Sequence, residues 1–343
     1  MNRTNPPEAL TDSMHLPSGI PDRTRSPLRR VVASWEFLLL IVGIGIFYLN
    51  MQASPYFLDP WNLSDATFNF TEKAMIAFAM ALVIICGEID LSVASIIALV
   101  STCMGFAVQM GADTGMLIVI GLLIGAVCGA FNGFLVAGLG LPSIVVTIGT
   151  LSLFRGIAYI MLGDKAYSGY PESFAFFGQG YVWWVITFEI VLFIVLAILF
   201  YVLLHRTSFG RSVIAIGNNP TAALFSGIRV ARVKFILFVL TGIMSAVAAI
   251  CLTSRLGSTR PSIAVGWELE IVTMVVLGGV NILGGSGTVP GVVIAAIIMG
   301  IVTFGLGLLN VPGIVMSIFI GLLLITVIAL PIVIRRTRLR MAR

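Results

Sequence analysis

Few residues of this chain have side chains suited to chemistry, and most of those lie among apolar neighbours. "GEIDLSVAS" (87–95) sets two carboxylates, Glu88 and Asp90, between the runs MIAFAMALVIIC and IIALVSTCMGFAV. Arg155 and Glu189 lie within similarly apolar stretches. A carboxylate kept from water caps a helix, pairs with a cation, or serves an ion path or gate. "VVLGGVNILGGSGTVPG" (275–291) holds Gly278, Gly279, Gly284, Gly285 and Gly287. Such a turn suggests phosphate binding, but a Walker A loop needs a lysine after its last glycine. The nearest lysine is Lys234, so this chain is not expected to bind nucleotide. No catalytic set is expected either: His15 and His205 are the only histidines, and both lie outside the apolar spans. Cys86, Cys103, Cys128 and Cys251 have no metal-ligand spacing and read as small packing residues, so no metal is expected.

The surroundings of these groups decide what they do. Of 343 residues, 59% are hydrophobic and 10% charged, with a mean hydropathy of +1.08. A soluble domain is about a quarter charged. The fold class is therefore an all-α polytopic membrane protein, because only helices or closed barrels satisfy the backbone in lipid. Barrel strands would alternate over ~10 residues, and none do. Ten transmembrane helices are expected, at 34–50, 74–89, 92–109, 116–137, 143–163, 182–204, 234–253, 270–284, 289–309 and 312–334. Residues 1–30, polar with five prolines, read as a disordered cytoplasmic tail. Residues 31–335 form the membrane domain and 336–343 a basic tail. No small-residue cleavage site follows the first apolar stretch, so it reads as a retained helix.

Lysine and arginine orient the spans. Fifteen of the 20 lie in the two tails and the central loop, against Lys73, Lys165, Arg255 and Arg260 on the other side. Both termini and the loop are thus expected in the cytoplasm. The pI of about 9.2 is then a topology signal, with no nucleic acid implied. "LPSIVVTIGTLSL" (141–153) and "VPGIVMSIFIGLLL" (311–324) open the fifth and tenth spans alike. Those spans run in opposite directions, as in two inverted five-helix halves, a recurring transporter plan.

Three local expectations follow. Only 13 apolar residues, Ala74 to Cys86, precede Gly87; at 1.5 Å per residue they span ~20 Å of a ~30 Å core. Gly87–Ser92 should therefore break the helix within the membrane, shielded by protein or water. Asp90 or Ser92 would cap the next helix, and Glu88, Asp90 and Ser92 are the candidates for gating or the pathway, Glu88 foremost. In the basic loop 205–234, Asn219 and Pro220 start a short helix that Gly227 stops, a docking element for a cytoplasmic partner. Arg155 and Glu189 both lie ~11 Å below the outer surface on consecutive spans, so an ion pair between them is expected.

Together, "GEIDLSVAS", "AIGNNPTAALFSGI" and "GWELEIVTMVVLGGVNILGGSGTVPG" resemble the permease subunits of bacterial ATP-binding cassette importers of the ribose, xylose, rhamnose and autoinducer-2 group. The resemblance covers about residues 30–335, with the motifs in the family's order. The chain departs from the pattern at Glu88, where a second glycine is usual, and at Ala94, where glycine is frequent. The resemblance implies a multi-pass protein of the bacterial inner membrane. It implies a monosaccharide delivered by a periplasmic binding protein, a second permease subunit, and two cytoplasmic ATPase subunits that carry ATP and Mg. Asn219, Pro220, Ala222, Ala223, Ser226 and Gly227 match the element that couples to the ATPase. A rhamnose- or pentose-like cargo is preferred, with autoinducer-2 as the alternative. The rival class is an ion-coupled secondary transporter using Glu88 and Asp90.

Overall fold

The computed structural model describes residues 35–163, 165–319, 321, 322 and 325. The tails 1–30 and 336–343, and most of the last expected span, lie outside those residues. The first half holds α1 (Trp35–Ala53), α2 (Pro60–Phe68), α3 (Thr71–Ile85), α4 (Val93–Gln109), α5 (Thr114–Gly133) and α6 (Ser143–Leu162). A π-helical turn, Phe134–Gly138, prolongs α5. Then come β1 (Tyr167–Ser168), α7 (Glu172–Gln179), β2 (Tyr181–Trp183) and β3 (Ile186–Thr187). The second half holds α8 (Phe188–Arg206), α9 (Ser208–Asn218), α10 (Pro220–Phe225), α11 (Val230–Leu256), β4 (Ser258–Thr259), α12 (Trp267–Leu277) and α13 (Val289–Leu308). Among the described residues, six helices are long and apolar enough to cross a membrane, or seven if α2 and α3, bent by 44°, form one span.

Burial sorts the helices into layers. In α3 every residue but Lys73 is buried; the helix is enclosed by α11, α12, α8, α13 and α9. In α1 only Leu39 is buried, and the outward faces of α5, α6 and α8 are apolar and exposed. A helix apolar all round belongs either inside a large protein or against lipid. Here α3 is the first kind and α1 the second, which is why a 13-residue run suffices for α3. The closest helix pair is α5 with α11. Gly121, Gly125, Gly129 and Gly133 recur every four residues on one face of α5, and a Cβ on Gly125 would lie 2.5 Å from the Gly242 carbonyl oxygen. Small residues in this spacing let backbones touch, and dispersion contacts replace the missing hydrophobic drive in lipid.

Two expectations about element ends are corrected. Residues 182–187 do not begin the sixth span. β2 and β3 form an antiparallel hairpin there, pairing Tyr181 with Thr187 and Trp183 with Ile186. The segment is β-branched and aromatic, and Trp184 turns it at φ 44°. The span expected at 270–284 stops at Leu277, because Gly279, Gly284 and Gly285 take positive φ and fold the chain into a turn. A second ribbon pairs β1 antiparallel with β4, so the fold is predominantly rather than wholly helical.

Candidate functional site

The break after α3 forms as its glycine dictates. Gly87 takes φ 87°, its N–H donates to Ile84 O at 2.9 Å, and the Glu88 N–H reaches back to Val83 O at 3.0 Å. This is a Schellman-type ending. Residues 86–92 are non-helical before α4 begins. Asp90 is fully buried, but its role differs from the expected cap. Its Oδ1 accepts from the Ser92 N–H at 3.0 Å and the Ser92 hydroxyl at 2.6 Å, and its Oδ2 accepts from the Thr241 hydroxyl at 2.8 Å. Ser92 occupies the N-cap position without capping; its hydroxyl instead accepts from Asn132 Nδ2 at 2.8 Å. The side chains thus clamp the break to α5 and α11, and the carboxylate's acceptors are turned inward. Glu88, expected on the pathway, forms an ion pair with Lys234 near the start of α11.

The loop after α8 holds two helices where one was expected. α9 turns Gly210, Val213 and Ile216 inward. Asn219 caps α10, its Oδ1 accepting from the Ala222 N–H at 2.9 Å, and Pro220 occupies the first turn. The Ser226 hydroxyl donates to Ala222 O at 2.9 Å, and Gly227 ends the turn at φ 83°. Ala223, one of the residues that match the coupling element, is 4% exposed and held against this chain, while Leu224 is 59% and Phe225 87% exposed. In a six-residue helix the two faces lie one residue apart, and the sequence alone leaves that choice open.

The glycine turn closes the arrangement. A Cβ on Gly278 would strike the backbone of Gly291 and Val292, and one on Gly287 would strike Val280 and Ile85, so both are close approaches. Gly279 sits against the Trp35 indole. The Gly285 N–H donates to Ile85 O at 2.8 Å, the last residue of α3, and Asn218 Nδ2 donates to Gly285 O at 3.2 Å. A Cβ on Gly284 would lie 3.1 Å from Gly87 Cα, and one on Gly217 would lie 2.5 Å from the Gly285 nitrogen. The three stretches singled out in sequence therefore meet, backbone to backbone, at one end of the bundle. Gly217 and Asn218 were not singled out; only their place just before Asn219 and Pro220 could have signalled them.

The expected Arg155–Glu189 pair does not form. Arg155 Nη1 donates to Pro261 O at 2.7 Å and Ile263 O at 2.8 Å, and Nη2 to Ala94 O at 3.1 Å. Glu189 is buried and accepts from the Thr71 hydroxyl at 2.7 Å. Consecutive spans need not be neighbours, and a guanidinium is satisfied by carbonyls as well as by a carboxylate. The ion pairs that do form fix the ends of α3: Arg255 with Glu72 at 2.8 Å, Lys73 with Glu270 at 2.5 Å, and Lys234 with Glu88. Lys73 also lies 4.9 Å from the Trp267 ring centroid. The sequence concealed the first two pairs because Lys73 and Arg255 were read as loop charges.

A family model described as the permease component of a branched-chain amino acid transport system matches residues 62–328. The autoinducer 2 import system permease protein LsrD of Yersinia enterocolitica is 36% identical over 303 residues, covering 86% of this chain and 90% of that protein. LsrD of Salmonella typhimurium is 35% identical over 309 residues, covering 88% and 92%. The ribose import permease protein RbsC of Bacillus subtilis is 36% identical over 292 residues, covering 84% and 90%. No solved structure matches the chain significantly. With its membrane-length helices and its glycine-bound junction, this chain belongs to the permease-component family of the branched-chain amino acid transport type.

Proposed function

We propose that the chain is the membrane subunit of an ATP-driven sugar importer of the bacterial inner membrane, working with a separate ATPase. The observation that carries this reading is the junction of Gly87, Gly217–Asn218 and Gly284–Gly285. It joins α10, with Leu224 and Phe225 facing outward, to the break after the central helix. A push on α10 is therefore delivered to residues 86–92 without crossing a flexible linker. Ten crossings in two inverted halves and cytoplasmic termini complete the architecture. Two copies, or this chain and a homologue, flank the path, with two ATPase subunits holding ATP and Mg and a periplasmic protein delivering the cargo. The relatives' names, autoinducer 2 import and ribose import, favour a small sugar-like cargo.

The ion-coupled alternative is disfavoured by the same geometry. Glu88 is paired with Lys234, and both oxygens of Asp90 accept hydrogen bonds from Ser92 and Thr241, so each carboxylate already has a partner within the chain. Uptake into proteoliposomes separates the classes. The importer moves sugar only with the ATPase, ATP and binding protein present; uptake driven by a proton or sodium gradient through the chain alone would refute it.

A further inference from the structure

α11 has 27 residues, about 40 Å at 1.5 Å per residue. Lys234 in its first turns pairs with Glu88 beside the glycine junction, so its last turn lies on the opposite side of the bundle. At that far end is a cavity of about 460 Å³, within the range of about 300–1,000 Å³ typical of small-molecule clefts. Leu252 and Leu256 form one side, and Ser258, Arg260, Ser262 and Trp267 supply the polar and aromatic groups. We propose that this cavity receives the cargo, a neutral polyhydroxylated molecule of monosaccharide size.

The lining has the chemistry for it. An indole offers an apolar face to the C–H side of a sugar ring and an N–H donor at its edge. Arg260 and Ser262 are exposed, and among the described residues their side chains have no hydrogen-bond partner, which leaves them open to ring hydroxyls.

The cavity wall is built rather than loose. Gly257, Ala264 and Gly266 take φ of 60°, 58° and 87°, and for alanine that conformation is strained. Arg155 holds the strained loop by gripping Pro261 O and Ile263 O, and it ties the loop to α4 through Ala94 O. On the other flank the Thr259 hydroxyl donates to Ser101 O at 2.8 Å. Strain over-determined in this way clusters at ligand sites. The unpaired intramembrane arginine thereby gains a role: it shapes the wall through backbone carbonyls and leaves Arg260 to face the ligand.

The proposal rests on the importer reading, and the test separates the two. The permease is reconstituted with its ATPase and binding protein, and ATP-dependent uptake of radiolabelled D-ribose, L-rhamnose and autoinducer-2 is measured. Arg260→Ala and Ser262→Ala should slow uptake several-fold, and Ser262→Trp, which fills the cavity, more than tenfold. Binding-protein docking and basal ATP hydrolysis should stay at wild-type values. Both positions are exposed and unbonded, so the variants should elute as wild type. Wild-type uptake in Arg260→Ala and Ser262→Trp overturns the cavity and leaves the importer reading standing. A docking loss as large as the uptake loss also overturns it, in favour of a protein contact. A wild-type complex that moves none of the three probes under ATP removes both readings.

Discussion

Replacing Arg255 by methionine tests what holds the start of the central helix. Glu72 is 1% exposed, and its carboxylate accepts from Arg255 Nε at 2.9 Å and Nη2 at 2.8 Å. Methionine keeps most of the side chain's length and removes both bonds and the charge. It strands Glu72 in the interior close to Glu189, which has one oxygen on the Thr71 hydroxyl and the other without a partner. Removing one member of a buried pair costs ~3–5 kcal/mol, mostly because the remaining charge is uncompensated. At about 2 °C per kcal/mol for a large domain, the midpoint of thermal unfolding in detergent should fall by ~6–10 °C. Arg255→Lys keeps the charge and loses the two-pronged fit, so it should fall by less. Glu72→Gln combined with Arg255→Met removes both charges and should recover most of the loss. A wild-type midpoint in Arg255→Met, or a double variant no better than the single, would refute the reasoning.

Phe225→Asp should abolish ATP-coupled uptake and ATPase co-purification at unchanged thermal stability, because the side chain is 87% exposed; normal uptake would move the docking face elsewhere. Ala223→Glu should instead destabilise the chain, since it forces volume and charge into a site that is 4% exposed; an overpacked core loses ~1–3 kcal/mol, read as a lower unfolding midpoint. Asp90→Asn keeps the Ser92 bonds on Oδ1, and its amide can donate to the Thr241 hydroxyl, whose proton then turns from residue 90 to Phe238 O, 2.9 Å away. It should transport nearly normally, whereas Asp90→Ala leaves buried donors unmet at ~1–3 kcal/mol; a folded but inactive Asp90→Asn protein would put the charge itself in transport. Gly217→Ala should uncouple uptake from ATP hydrolysis or prevent folding, because its Cβ would meet the Ile85 carbonyl and the Gly285 nitrogen; wild-type coupling would show that the junction gives way freely.

What was legible in the sequence was legible through length and backbone need. An apolar run too short for a membrane located the break at residues 86–92, and glycines located the turn at 278–287, because both are local constraints. The start of α10 was readable for the same reason, from Asn219 and Pro220. Partners set by three-dimensional neighbourhood were not readable. Arg155 was matched to Glu189 by depth along consecutive helices, but it met the carbonyls of residues more than 100 positions away. Arg255 and Glu72, 183 residues apart, looked like loop charges and proved to be a pair, the carboxylate buried and the arginine half-buried. The glycines of α5 did carry a signal, four small residues at four-residue spacing. Their partner helix α11 carries Gly242 and Ala246 at the same spacing, but nothing in the sequence says that these two helices, so far apart in the chain, are neighbours.

The relay through the glycine junction is the core of the account, and hydrogen–deuterium exchange tests it most directly. The reconstituted complex is compared before and after ATP is trapped on the ATPase with vanadate. Residues 215–228, 281–288 and 86–92 should change protection together, because Gly285 bonds Ile85 and Asn218 bonds Gly285. A change confined to 215–228, with the break at 86–92 unaltered, would contradict it.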